Sequence, residues 1–226
     1  MKKLKWIILI LMLFVGMSYA TVELGALEMG AYRVPAPDFY EDFADNLNDW
    51  TNDASFAITS GELSVDTSTD YMYVTSPPFV NETYQAIQFE LVNGDWSEWK
   101  ILMRCNASGD CYGFNVNDSL DTLTWVENSN WDDTDQVVEV DAPTIANGDY
   151  IGIEVYNTGN NTEVDYWVSA TPLGDWDSAH TNWGAPTGTM TNNPTDAHDT
   201  GKYGGIAIYD LSSGARLDDL YFYSGS

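Results

Sequence analysis

Two pairs of acidic residues have a spacing that could support acid–base chemistry. Glu139 and Asp141 are separated by one residue, as are Glu163 and Asp165, so on a strand both side chains of a pair point to the same face. A retaining glycosidase needs two carboxyl groups about 5 Å apart across the scissile bond, and such a pair supplies half of that arrangement. The alternative is a row of acids on a solvated sheet face. Because the two histidines belong to no metal-binding or nucleophile motif, we predict no catalytic residue.

Tryptophans beside polar residues are the best candidates for ligand contact. The chain has nine tryptophans, and several of them stand next to Asp, Asn or Glu. An exposed ring can stack on the C–H face of a pyranose while a neighbouring carboxylate accepts from its hydroxyls. The competing interpretation of each ring is packing in a core or at a sheet edge. We predict a polysaccharide or a cell-surface glycan as the ligand, contacted by Trp96, Trp99, Trp131, Trp176 and Trp183.

An acidic run raises the question of a metal. Asp132, Asp133 and Asp135 lie close together, and oxygen-rich loops suit calcium, which takes several hard oxygen ligands in irregular geometry. The run lacks the spacing of an EF-hand loop, and a solvated charged face is the alternative interpretation. No cofactor is required by the sequence; calcium, with these three aspartates as ligands, is the metal that the run favours.

The two cysteines, Cys105 and Cys111, enclose a short turn sequence, Ser108-Gly109-Asp110, between two strand-like runs. In a secreted chain such a pair predicts a disulfide that clamps a β-hairpin. A metal-binding pair is the alternative, but further cysteines or suitably spaced histidines are missing from the sequence. Four Asn-x-Ser/Thr sequons are candidate glycan sites in a eukaryote or an archaeon and carry no such meaning in most bacteria: Asn81, Asn106, Asn117 and Asn160.

The charge balance limits the classes of partner. The chain of 226 residues carries 35 acidic and 8 basic side chains, a formal net charge of −27. This excludes unaided nucleic-acid binding, because so few bases cannot displace counterions from a phosphate backbone that the acids repel. Solubility outside the cell is the simplest explanation of the charge.

The first twenty residues have the pattern of a secretory signal peptide: three lysines, an apolar run and Ser18-Tyr19-Ala20. An uncleaved signal anchor is the alternative, and it would be the chain's only link to a membrane. We therefore predict a secreted or cell-surface protein with a signal peptide at residues 1–20, a leader or linker at 21–37 and one domain at 38–226.

Short runs of strand type follow, separated by Gly, Asn, Asp, Ser and Pro. In the clearest run, Tyr84 to Val92, large apolar residues alternate with small or polar ones, as on a strand with one buried and one solvated face. Residues 171–201 are long and irregular, which is typical of a functional or mobile loop. The pattern predicts an all-β fold, an antiparallel two-sheet β-sandwich.

Several segments resemble the concanavalin A-like lectin/glucanase superfamily, the laminin-G-like jelly-roll domains. The resemblance lies in the opening Phe39 to Thr51, the hairpin Phe56 to Leu63, the segment Arg104 to Phe114 and the closing Gly204 to Leu220. It implies two antiparallel sheets in a jelly roll, with the first and last strands paired at one edge. The superfamily's glucanases use an E-x-D-x-x-E strand, and neither acid pair of this chain is followed by the second Glu.

Three functions are compatible with these features. The leading hypothesis is a secreted, non-catalytic β-sandwich that binds a carbohydrate or another surface ligand. The second is a self-assembling extracellular structural or matrix protein, a homo-oligomer whose sheet edges accept a strand from the leader. The third, motivated by the fold and the paired acids, is a glycoside hydrolase.

Overall fold

A computed structural model describes the chain over residues 37–44, 46–51, 56–65, 70–76, 78–79, 84–93, 98–117, 120–129, 132–158, 161–177, 182–192, 201–209 and 215–225. The expected signal peptide and all but the last residue of the expected leader lie outside these ranges. Within them, no helix is long and apolar enough to cross a membrane. The regular structure described is entirely β-strand.

The strands form two antiparallel sheets. The eight-stranded sheet has the spatial order β13 (Gly188–Asn192), β12 (Asn161–Ser169), β11 (Asp149–Thr158), β6 (Tyr84–Asn93), β15 (Arg216–Gly225), β4 (Glu62–Val65) and β3 (Phe56–Thr59), and β1 (Phe39–Glu41) also pairs with β15. The seven-stranded sheet has the order β10 (Asp132–Asp141), β9 (Thr122–Ser129), β8 (Cys111–Asn117), β7 (Glu98–Cys105), β14 (Tyr203–Tyr209), β5 (Asp70–Val74) and β2 (Trp50–Thr51). This is the antiparallel two-sheet jelly roll that the sequence predicted.

The main core lies between the two sheets and follows from the alternation of apolar residues along the strands. On β6, Ile87, Phe89 and Leu91 point inward and are fully buried. From the other sheet, Trp99 and Trp125 fill the interior. The apolar alternation in the sequence therefore identifies the inner faces correctly.

The first and last strands pair, as the resemblance implied, but within the eight-stranded sheet rather than at its edge. Phe39, Tyr40 and Glu41 of β1 lie opposite Phe222, Tyr221 and Leu220 of β15. Strand β15 is internal, because β6 pairs with one side of it over most of its length. Strands β4 and β1 pair with the other side of β15, β4 near its start and β1 near its middle.

Strand β13 is the main departure from the predicted elements, because it lies inside the expected irregular loop at 171–201. It pairs in register with the edge strand β12. In its sequence, GTMTN, Met190 is buried, but apolar and polar residues do not alternate. This is because β13 is an edge strand with polar neighbours. Backbone pairing, which the sequence pattern does not reveal, holds it in place.

The predicted disulfide between Cys105 and Cys111 is confirmed. It closes the hairpin of β7 and β8 beside the turn that joins them. Asn106 shapes that turn, since its side-chain oxygen accepts hydrogen bonds from the backbone N–H groups of Ser108 at 2.8 Å and Asp110 at 3.1 Å. Such an Asx-type turn is a common use of asparagine.

Candidate functional site

The strand register of the eight-stranded sheet determines which side chains share its outer face. Tyr221 of β15 lies opposite Gln88 of β6, Gln88 lies opposite Gly152 of β11, and Gly152 lies opposite Trp167 of β12. Since side chains alternate along a strand, the neighbours two positions away belong to the same face. We call this surface the outer face.

Part of the outer face is covered by residues 170–177 and 182–187, which we call the covering segment. Three of its side chains, Leu173, Trp176 and Trp183, are buried against the sheet. They form a second hydrophobic cluster with Trp167 and Tyr223, separate from the main core. The covering segment is therefore held to the sheet by packing rather than projecting from it.

Gly152 makes this close packing feasible. A Cβ atom at this position would lie 2.7 Å from Leu173 Cδ1 and 2.7 Å from Trp183 Cζ3, well inside van der Waals contact. The missing side chain thus creates the depression into which the covering segment fits.

A cavity of about 100 Å³ lies where the covering segment meets the uncovered part of the outer face. The sheet contributes two tyrosine rings and an amide to the walls, and the covering segment contributes the opposite side. The lining residues are Gln88, Tyr150, Pro172, Gly174, Asp175, Asp219 and Tyr221.

Gln88, one of the lining residues, has an unpartnered side-chain oxygen. The residue is 4% exposed, and its Nε2 donates to the Gly174 carbonyl oxygen at 3.1 Å and to the Tyr223 hydroxyl oxygen at 3.0 Å. Its Oε1 has no hydrogen-bond partner. A buried acceptor without a donor is energetically costly.

Tyrosines and carboxylates are paired around the cavity. The Tyr150 hydroxyl donates to Glu90 at 2.8 Å, and burial together with this bond raises the pKa of Tyr150 to about 12. The Tyr40 hydroxyl donates to Asp219 at 3.0 Å. The Tyr40 ring stacks on Tyr221 with centroids 4.4 Å apart and is 45% exposed, so the aromatic surface continues outward from the cavity.

Asp218, beside the cavity, has its pKa raised from 3.8 to about 6. Burial is the main cause; the backbone N–H of Asp219 opposes it, and the charges of Asp219, Glu90 and Glu62 add to it. The folded state therefore holds this proton more tightly than the unfolded state. Between about pH 4 and pH 6 that difference lowers stability as the pH rises, and the loss is complete above the folded-state pKa.

We expect Asp218→Asn to stabilise the protein near neutral pH, by about 1 kcal/mol after solvent screening is allowed for. Asparagine keeps the oxygen that accepts from the Asp219 N–H at 2.8 Å. Thermal melting of both proteins from about pH 4 to pH 8 tests this. The stabilisation should fade towards pH 4, and a gain that is constant across this range would contradict the charge explanation.

The five tryptophans predicted as ligand contacts do not form one surface. Trp96 and Trp131 lie outside the described residues. Trp99 is 0% exposed in the main core, and Trp176 and Trp183 are buried between the covering segment, to which they belong, and the sheet. These three rings pack against other apolar side chains, so their interpretation as exposed stacking rings was wrong. Their polar neighbours in the sequence had suggested exposure.

The first of the two acid pairs joins the sheets at one edge. Glu139 of β10 accepts from the backbone N–H of Thr191 at 2.8 Å. Asp141 accepts from the hydroxyl of Tyr166. Both acids thus connect the seven-stranded sheet to β12 and β13 of the other sheet.

The second pair lies on β12. Glu163 and Asp165 accept from the hydroxyl of Tyr156, at 3.0 and 3.2 Å. Neither acid pair lines the cavity. The acids of the candidate site, Asp175 and Asp219, come instead from the covering segment and from a bulged part of β15.

The predicted calcium ligands Asp132, Asp133 and Asp135 lie on β10, but their side chains are outside the described part of the structure. Among the described residues, no group of three or more His, Cys, Asp or Glu side chains is arranged to hold a metal ion. Calcium therefore stays a prediction.

Two of the four sequons also fall outside the described ranges, at Asn81 and Asn160. Asn106 is exposed in the disulfide hairpin. Asn117 ends β8, where its side-chain oxygen accepts from the backbone N–H of Leu120 at 3.1 Å. Their use as glycan sites stays a prediction.

Comparison with known proteins identifies the class of fold. No protein-family model and no curated protein sequence matches the chain. The chain is similar in structure to the carbohydrate-binding module CBM66 from Bacillus subtilis, with a TM-score of 0.53 and 11% identity over 79% of this chain and 98% of that one. The two proteins share a jelly-roll β-sandwich fold, the fold that the sequence resemblance implied.

Two further structural neighbours are more distant. One is a xylan β-1,4-xylosidase from Bacillus halodurans C-125, with a TM-score of 0.48 and 11% identity over 84% of this chain and 40% of that one. The other is galectin LEC-6 from Caenorhabditis elegans, with a TM-score of 0.40 and 11% identity over 80% of this chain and 99% of that one.

Proposed function

We propose that the protein is a secreted, non-catalytic carbohydrate-binding module that holds one sugar residue in the cavity of the outer face. One observation carries the proposal: the lining of the cavity combines two tyrosines, Tyr150 and Tyr221, with an amide side chain and two carboxylates. Ring carbons suit the C–H surface of a sugar, while the amide oxygen and the carboxylates suit its hydroxyl donors.

The remaining features are consistent with binding rather than hydrolysis. The paired acids Glu139/Asp141 and Glu163/Asp165 all accept hydrogen bonds from protein groups away from the cavity. The fold is shared with a carbohydrate-binding module, although fold alone does not determine function.

We expect Tyr221→Ala to weaken saccharide binding about tenfold, since one lost aromatic contact costs about 1.4 kcal/mol. A glycan array would first identify a bound saccharide, and isothermal titration would then compare the variant with the native protein. Tyr73→Ala is the matched control, because Tyr73 is also half-buried but lies on β5 of the other sheet.

Two results would overturn the proposed function. One is the absence of binding across a broad array of neutral, basic and acidic glycans. The other is full affinity in Tyr221→Ala together with reduced affinity in Tyr73→Ala, which would place the ligand on the seven-stranded sheet.

A further inference from the structure

We propose that the cavity of the outer face selects an amino sugar, a saccharide with a protonated primary amine, over neutral and acidic saccharides. This inference rests on the proposed function and names the substrate class for the same site. It follows from two independent features of the cavity, its charge and the balance of its hydrogen-bonding groups.

The charged side chains that line the cavity are carboxylates. Asp175 and Asp219 line it, and Glu90 is hydrogen-bonded to the lining residue Tyr150. Asp218, the residue before Asp219 on β15, interacts electrostatically with Asp219 and Glu90, and because its pKa is raised to about 6 it carries a partial negative charge near that pH. The seven lining residues, all within the described ranges, include no lysine, arginine or histidine. An ammonium group is attracted to such a site, whereas a uronate carboxylate is repelled.

The hydrogen-bonding groups of the cavity are mostly acceptors. Both hydrogens of Gln88 Nε2 are engaged, by Gly174 and Tyr223, and the Tyr150 hydroxyl donates to Glu90. The Tyr221 hydroxyl, the remaining side-chain donor among the described lining residues, is itself hydrogen-bonded to Tyr40.

The acceptors outnumber that donor, since the carboxylates of Asp175 and Asp219 line the cavity. An ammonium group offers three donors and no acceptor. An ammonium group therefore matches a cavity rich in acceptors better than a hydroxyl or an N-acetyl group does, because both of those groups also carry an acceptor oxygen.

The test compares three oligosaccharides of the same length by isothermal titration near pH 6 and at low salt: the β-1,4 trimer of glucosamine, its N-acetylated form, and a trimer of galacturonic acid. We expect the glucosamine trimer to bind about tenfold more tightly than the N-acetylated trimer. We expect the galacturonate trimer to bind most weakly.

Two variants locate the effect. We expect Asp175→Asn and Asp219→Asn each to reduce the preference for the amine. Asparagine is suitable at position 219 because it tolerates the left-handed backbone there, where φ is 49°. Asp49→Asn is the matched control, because it removes an equal charge from an exposed turn before β2 of the other sheet. Melting temperatures would confirm that all three variants fold.

The outcomes separate this inference from the proposed function. Equal or tighter binding of the N-acetylated trimer would overturn the amine preference and leave carbohydrate binding intact. Glucosamine-trimer binding that both cavity variants retain in full would place the amine elsewhere on the acidic surface and also overturn the inference. No binding of any saccharide, here or on the array, would overturn the proposed function itself.

Discussion

Gly152→Val is expected to abolish saccharide binding while the β-sandwich stays folded. The new side chain would occupy the depression that receives Leu173 and Trp183, where a single added Cβ already comes within 2.7 Å of each. The covering segment must then move away from the outer face. Since Pro172, Gly174 and Asp175 of that segment form one wall of the cavity, the site loses its shape.

A graded series makes this prediction specific. Gly152→Ala should weaken binding less than Gly152→Val, because the end of Leu173 can shift to accommodate a methyl group more easily than a branched side chain. Binding is measured by titration with the saccharide found on the array, and folding by far-ultraviolet circular dichroism. Native affinity in Gly152→Val would show that the covering segment is not part of the site, and loss of the β-sheet spectrum would show that it supports the whole fold.

Trp99→Ala is expected to have the largest effect on stability, lowering the free energy of unfolding by about 3–5 kcal/mol. Trp99 is 0% exposed and lies in the main core between the sheets. Its removal deletes a large apolar surface and leaves a cavity that the rigid strands cannot close. Urea unfolding followed by circular dichroism measures the loss.

The same variant also tests where the ligand binds. Because Trp99 is buried in the main core and does not line the cavity, the folded fraction of Trp99→Ala should bind with native affinity. Trp99→Phe, which keeps a ring in the core, should lose less stability. A large loss of affinity without loss of stability would mean that Trp99 contacts the ligand, as the sequence alone had predicted.

Much of the fold could be predicted because the inner faces carry a simple physical signal. Strand β6 shows it: Ile87, Phe89 and Leu91 are the large apolar members of the alternation, and all three are buried between the sheets. On the outer face, alternation does not predict burial correctly. Ala86 and Gln88, which alternation assigns to solvent, are buried as well, since the covering segment packs over them.

The candidate site was harder to predict because its parts are far apart in the sequence. Gln88, Gly152 and Tyr221 become neighbours through the register of three strands, which no local pattern encodes. The tryptophans of the long segment gave the opposite impression. Their polar neighbours suggested exposure, whereas Trp176 and Trp183 are the anchors that bury the segment.

The separation of the second hydrophobic cluster from the main core has a consequence for the protein's motions. The cluster consists of few side chains and lies on the outer side of a sheet whose inner side is independently packed. The covering segment can therefore detach in a local opening that leaves the sandwich intact, at a lower free energy than global unfolding. Amide hydrogens of the covering segment itself would then exchange with solvent sooner than those of the strand ladders in the two sheets.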